Sequence, residues 1–142
     1  MTSLILLQLM WLAIGLTAAV LIEIAGLNLI SRLVNRLSAR PDGAAQSWQI
    51  AIMGLVVYLL FVMHLVQITI YALIYYVTGA IRSVHTALYF SAATFTTIGG
   101  GKVQTEEPWQ FFAALQGLSG IIMVGWSIAF LVAVTHRLGM WT

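Results

Sequence analysis

Three long runs without a charged residue constrain the fold of this 142-residue chain most strongly. They extend from Ser3 to Ile22, from Gly43 to Ile81 and from Pro108 to His136. Because the hydrocarbon core of a bilayer is about 30 Å thick, a helix of about 20 apolar residues is long enough to cross it. Only 7% of the residues are charged, and the mean hydropathy is +1.00. The sequence therefore predicts an all-α membrane protein with three transmembrane helices.

Turn signals divide these runs into two units. The tetrapeptide Arg40-Pro41-Asp42-Gly43 is typical of a turn. We therefore expect an N-terminal transmembrane helix within residues 1–38, a cytoplasmic turn over 39–46 and a second unit over 47–136. A cleaved signal peptide is the alternative for the first helix, but the chain starts Met-Thr-Ser-Leu, without the basic residues that such peptides carry.

A short helix followed by a glycine run is predicted between the second and third spans. Residues 84–95 contain no Gly or Pro and follow Ser83, a good helix N-cap. Such a helix is about 18 Å long, too short to cross a bilayer. The three glycines at 99–101 indicate irregular backbone, since each would cost about 0.5 to 1 kcal/mol inside a helix. Irregular backbone at membrane depth must be buried in protein or line a watery path, so the pattern predicts a re-entrant pore loop.

The same residues resemble a known family. Thr96-Thr97-Ile98-Gly99-Gly100-Gly101 resembles the Thr-Val-Gly-Tyr-Gly selectivity filter of the tetrameric potassium channels, and Tyr89-Phe90-Ser91 resembles their pore helix. Residues 118–127 resemble the inner helix of small bacterial members of that family. The resemblance covers about residues 50–134. It implies a pore module with an outer helix over 47–78, a pore helix over 84–95, a filter over 96–101 and an inner helix over 109–136.

The resemblance also implies how the loop would bind ions. The backbone carbonyls of Thr97, Ile98, Gly99 and Gly100, with the Thr97 hydroxyl, would replace the water shell of K⁺, or of Na⁺, without a fixed charge. Gly99 and Gly101 would supply backbone angles that only glycine adopts cheaply. Because one chain supplies one loop, a ring of carbonyls implies a homotetramer in the lipid bilayer. We expect no cofactor besides the permeant cation.

Two positions depart from the family pattern. Gly100 stands where the family has tyrosine, and Lys102 stands where it usually has aspartate. The missing ring predicts a softer filter, and a lysine about 8 Å from an entering cation would cost on the order of 2 kcal/mol before salt screening. Glu106 and Glu107 neutralise Lys102 at the outer mouth, bind divalent ions there, or form a solvated turn.

Polar residues and glycines inside the spans are candidates for gating. His64 and Gln67 are three residues apart and share one helix face. Their positions are consistent with a role in helix packing or in gating. Glu23 lies at a depth from which it could approach His64 on the antiparallel second helix. Gly120 and Gly125 are alternatives for a bend of the inner helix, and close helix packing is the other interpretation of both.

The arginines predict the orientation. Arg32, Arg36 and Arg40 recur every fourth residue beyond the first span, which favours positive-inside anchoring over a voltage sensor. This places the N-terminus outside, the filter opening outside and the C-terminus in the cytoplasm. The resemblance to small bacterial channels implies a bacterial-type inner membrane.

Other function classes are not predicted. The acidic residues and the three histidines show neither metal-ligand spacing nor a nucleophile beside a base, so we expect no enzyme. The six basic residues form no exposed stripe, so we expect no nucleic-acid partner. His85 is either an interfacial polar residue or a pH-sensitive one. We predict a channel for monovalent cations, potassium first; the alternative is a non-conducting channel-like subunit that acts as a scaffold or partner.

Overall fold

The computed structural model of the protein describes residues 2–39, 46–99, 101, 103, 105 and 107–140. Within these residues the chain forms α-helices and no strand. The helices are α1 (Thr2–Ser38), α2 (Gln46–Val77), α3 (Val84–Phe95) and α4 (Glu107–Arg137). The first, second and fourth are long and apolar enough to cross a membrane. The predicted all-α fold with three spans is therefore confirmed.

α1 packs against other helices of the chain. α1 contacts both α2 and α4, and these two helices also hold α3. At one end of the bundle, the Gln8 side chain of α1 donates a hydrogen bond to the carbonyl of Pro108, in the first turn of α4. α1 therefore packs on the other two spanning helices of the chain.

Aromatic side chains pack α3 between α2 and α4. The ring of Tyr75 lies 5.2 Å from that of Phe90 and 5.3 Å from that of Phe112, nearly perpendicular to each. Trp109 packs edge-on against Phe112 at 5.6 Å. Edge-to-face pairs of this kind stabilise a fold by about 0.5 to 1.5 kcal/mol each beyond their burial. The cluster fixes the position of α3 near the start of α4.

A second apolar cluster joins α1, α2 and α4 at the opposite end of the bundle. Its fully or nearly buried members are Leu27, Ile30, Val34, Ile52, Val56, Leu60, Met63, Val134 and Leu138. Gly26 lets α1 approach α2 here, since a Cβ at that position would lie 2.4 Å from the Met63 sulfur. The rest of the spanning surface stays apolar and exposed, as expected of helices that face lipid or other subunits.

α3 has a defined start. The backbone of Ser83 is extended, with φ −106° and ψ 126°, and its hydroxyl accepts a hydrogen bond from the amide of Thr86 at 3.4 Å. This is the N-cap arrangement, in which a side-chain oxygen satisfies an amide that the first helical turn leaves without a partner. The helix that follows has the bounds expected from the sequence.

Candidate selectivity filter and its supporting contacts

The segment after α3 alternates in backbone conformation. Thr97, Gly99 and Gly101 have positive φ angles of 60°, 83° and 59°. Glycine adopts this region readily, whereas a β-branched residue rarely does, at a cost on the order of 1 to 3 kcal/mol. Such strain persists only where the surroundings hold it and is concentrated at functional sites. The sequence pointed to Gly99 and Gly101, but the positive φ of Thr97 was not predicted.

Three backbone amides of this segment donate hydrogen bonds to carbonyls of α3. Hydrogen bonds of 3.0 Å run from Thr96 N to Ala92 O, from Thr97 N to Thr94 O and from Gly99 N to Ala93 O. They satisfy carbonyls that the end of a helix leaves unpaired. Within the described part of the chain, no donor contacts the carbonyl oxygens of Thr97, Ile98 or Gly99. Three amides next to these carbonyls are thus paired with α3, while the carbonyls themselves are available, the arrangement that a cation ligand set requires.

The loop borders a cavity. Ile98 is 82% exposed, and Thr96, Thr97 and Gly99 are exposed as well. Beneath the loop a cavity of about 380 Å³ lies between the C-terminal end of α3 and one face of α4. Its lining is Phe95, Thr96, Thr97, Gly120, Ile121, Val124, Gly125 and Ile128. Since the C-terminal end of a helix carries partial negative charge, this cavity favours a cation over an anion.

A buried chain of hydrogen bonds, which we call the Ser91 network, joins α3 to α2 and α4. Tyr75 Oη donates to Gln116 Oε1 at 2.8 Å, and Gln116 Nε2 donates to Ser91 Oγ at 2.9 Å. Ser91 Oγ in turn donates to the carbonyl of Ile68 at 2.7 Å. The three side chains are fully buried and connect α2, α3 and α4. Sequence reasoning did not identify Gln116, although a polar residue within an uncharged span was the available signal.

The two candidate bend glycines have different surroundings. A Cβ on Gly120 would lie 2.2 Å from the carbonyl oxygen of Phe95, so α4 approaches the end of α3 at this point. A Cβ on Gly125 would meet nothing within 4 Å, although both glycines line the cavity. Gly120 is therefore a close-packing glycine, and Gly125 remains the candidate for a bend.

A second polar group, the Glu23 cluster, joins α1 to α2 and α4. Glu23 is completely buried; its Oε2 accepts from Gln67 Nε2 at 2.9 Å and its Oε1 accepts from Ser127 Oγ at 2.8 Å. Gln67 Oε1 lies 3.2 Å from His64 Nδ1, and the His64 ring lies 5.7 Å from that of Phe95. No ion pair joins Glu23 and His64 directly, because Gln67 bridges them. The sequence indicated these two residues as neighbours but not the bridge or Ser127.

Part of the predicted outer mouth is described. Glu107 is exposed in the first turn of α4, where an acidic side chain interacts favourably with the helix dipole. Gly100, Lys102 and Glu106 lie outside the described residues. His85 is exposed in the first turn of α3. Among the residues with defined placement, no group of three or more His, Cys, Asp or Glu could hold a metal ion.

The fold defines the class of protein. It is an all-α integral membrane protein with three spans and a short helix, and the loop after this helix has backbone carbonyls that accept no hydrogen bond from described residues. A family model described as "Ion channel" matches residues 51–137, and because this is more than half of the chain, the protein belongs to that ion channel family. The matched segment contains most of α2 together with α3, the loop and α4, and it excludes α1. No curated protein and no solved structure matches the chain.

Proposed function

We propose that the protein forms a homotetrameric pore that passes monovalent cations, with K⁺ preferred over Na⁺ but less strongly than in the channels it resembles. The observation that carries this proposal is the backbone of residues 97–101. Its φ angles are positive at every second residue, the amides of Thr97 and Gly99 are paired with α3, and the carbonyls of residues 97–99 accept no hydrogen bond from described residues. Oxygens presented in this way replace the hydration shell of a cation.

Exposure of the loop supports a tetramer. A single chain leaves Ile98 almost fully exposed and the cavity beneath Thr97 open on one side. One loop cannot surround an ion, whereas a closed ring of identical chains does so with one loop each. Fourfold symmetry, which the family resemblance implies, would place the α4 faces around Gly125 along a common axis.

Weakened selectivity follows from the two departures in the sequence. Gly100 has no ring, and Lys102, which follows the filter segment in the sequence, adds one positive charge per chain. The first change loosens the distances between opposing carbonyls. The second opposes the approach of any cation at low ionic strength and is screened by salt, so it affects conductance more than the choice between K⁺ and Na⁺.

The deciding experiment is the reversal potential of the purified tetramer in a planar bilayer, under opposing K⁺ and Na⁺ gradients. We expect a value displaced from zero toward the potassium equilibrium potential. Current that reverses near zero would contradict K⁺ preference. An absence of current from verified tetramers would contradict conduction and favour a silent channel-like subunit.

Variants of Thr97 test the assigned filter. Thr97→Ala removes a hydroxyl and is expected to shift the reversal potential toward zero, whereas Thr97→Ser retains the hydroxyl and is expected to keep the shift. Thr69→Ala is the matched control, because the exposed Thr69 hydroxyl bonds only within α2, to the carbonyl of Leu65. Equal reversal potentials for Thr97→Ala and the control would place the selective site elsewhere.

A further inference from the structure

An apolar groove with a basic end lies between α1 and α2, away from the candidate filter. Its volume is about 450 Å³. The walls are mainly aliphatic, with Leu29 and Leu33 on α1 and Val62 on α2 among them. Arg32 and Arg36 line its part nearest the C-terminal end of α1. Six of its nine lining residues, both arginines included, are on α1, which lies outside the segment that matches the ion channel family.

The length of the groove matches the depth of one leaflet. Its lining on α1 runs from Gly26 to Arg36, which is about 15 Å at 1.5 Å per residue. This equals about half of the hydrocarbon thickness of a bilayer. Arg36 lies in the last turn of a helix that ends at Ser38, so its guanidinium lies at headgroup depth when α1 spans the membrane.

The charge at the end of the groove is uncompensated by its lining. Arg32 and Arg36 are one turn apart on the same face, and both are exposed. None of the residues that line the groove is acidic. Of the acidic residues that the structure describes, Glu23 is buried in its own cluster and Glu107 lies at the other end of the bundle; Asp42 and Glu106 lie outside the described residues. Two guanidinium groups beside an aliphatic groove complement a phosphate joined to an acyl chain.

We propose that this groove binds one anionic phospholipid of the leaflet next to the α1–α2 connection, with its phosphate on Arg32 and Arg36 and one acyl chain along Leu29, Leu33 and Val62. The arginines give the preference for an anionic headgroup. Each contributes roughly fivefold in affinity near an anionic membrane surface, and two contribute roughly 25-fold. The aliphatic walls give the preference for a lipid over a soluble phosphate.

The test measures lipid binding to the full-length protein by native mass spectrometry, with dioleoylphosphatidylglycerol and dioleoylphosphatidylcholine as probes. We expect the wild type to bind phosphatidylglycerol more than tenfold tighter. The double variant Arg32→Gln/Arg36→Gln is expected to bind both lipids alike, at the affinity of phosphatidylcholine. Arg137→Gln is the matched control, because Arg137 is an exposed arginine at the same end of the bundle that does not line the groove.

A second variant separates the groove from general surface charge. Leu29 is 69% exposed, so Leu29→Trp fills the groove without entering the core. It leaves both arginines in place and is expected to weaken phosphatidylglycerol binding at least fivefold. Unchanged binding by this variant or by the double arginine variant would overturn the proposal, as would an equal loss in Arg137→Gln. Because the readout needs no current, these outcomes are independent of whether the pore conducts.

Discussion

Gly120 shows how one missing side chain sets the distance between two helices. A Cβ at this position would lie 2.2 Å from the carbonyl oxygen of Phe95, which belongs to backbone and cannot swing aside. Gly120→Ala therefore forces α4 away from the end of α3. Overpacking of this kind typically costs about 1 to 3 kcal/mol, so we expect a lower midpoint of thermal unfolding in detergent.

Gly125 supplies the control for that measurement. Nothing lies within 4 Å of a Cβ at this position, so Gly125→Ala is expected to leave the midpoint of thermal unfolding unchanged. If α4 bends at Gly125 during gating, the same variant lowers the open probability. Equal unfolding midpoints for the two alanine variants would contradict the assigned close approach at Gly120.

At the scale of elements, α3 depends on the Ser91 network for its attachment. Gln116 accepts from Tyr75 and donates to Ser91, so Gln116→Leu leaves the buried Tyr75 hydroxyl without its acceptor. Loss of a buried partner costs about 1 to 3 kcal/mol. We expect lower thermal stability and faster amide hydrogen exchange throughout α3. Gln110→Leu, at an exposed position of the same helix, is expected to change neither quantity.

That contrast has a clear negative outcome. If amide exchange in α3 is equally slow in Gln116→Leu and Gln110→Leu, aromatic packing alone holds the helix. The Ser91 network would then be a consequence of the fold and not a support of the loop that follows α3.

The Glu23 cluster connects α1 to α4 through a carboxylate whose two oxygens both accept hydrogen bonds. A carboxamide has only one oxygen, so Glu23→Gln removes the acceptor of one of these two hydrogen bonds, that from Gln67 Nε2 or that from Ser127 Oγ. A double-mutant cycle between Glu23→Gln and Ser127→Ala is expected to give a coupling energy of about 0.5 to 1.5 kcal/mol in thermal or denaturant unfolding. Additive effects of the two changes would contradict a direct bond between the helices.

At the scale of the whole molecule, the orientation in the membrane is open to a direct test. The sequence contains no cysteine, so single cysteines can be introduced without a background. We expect a membrane-impermeant maleimide, added to intact cells, to label Arg82→Cys beside α3 but not Ala39→Cys at the end of α1. Both positions are exposed, so accessibility from each side decides the result. Labelling of Ala39→Cys alone would reverse the predicted topology.

Much of the architecture was predictable from the sequence because its causes are local. The three spans follow from the length of uncharged runs, and the bounds of α3 follow from Ser83 at its start and the glycines beyond its end. Positive φ at Gly99 and Gly101 was expected for the same local reason, since glycine carries no Cβ. The tetramer, the conducted ion and the orientation are still predictions.

The contacts between helices could not be predicted because their partners are far apart in the chain. Glu23 accepts a hydrogen bond from Ser127, 104 residues away in the chain. Its other partner is Gln67, whereas the sequence suggested His64. Periodicity gives the face on which a residue lies, but the partner of that face depends on how α1 packs on α2 and α4. The sequence by itself thus determined the elements and the loop. Tertiary packing determined which polar groups pair, and it distinguished Gly120, in close contact with Phe95, from Gly125, where a Cβ would meet nothing within 4 Å.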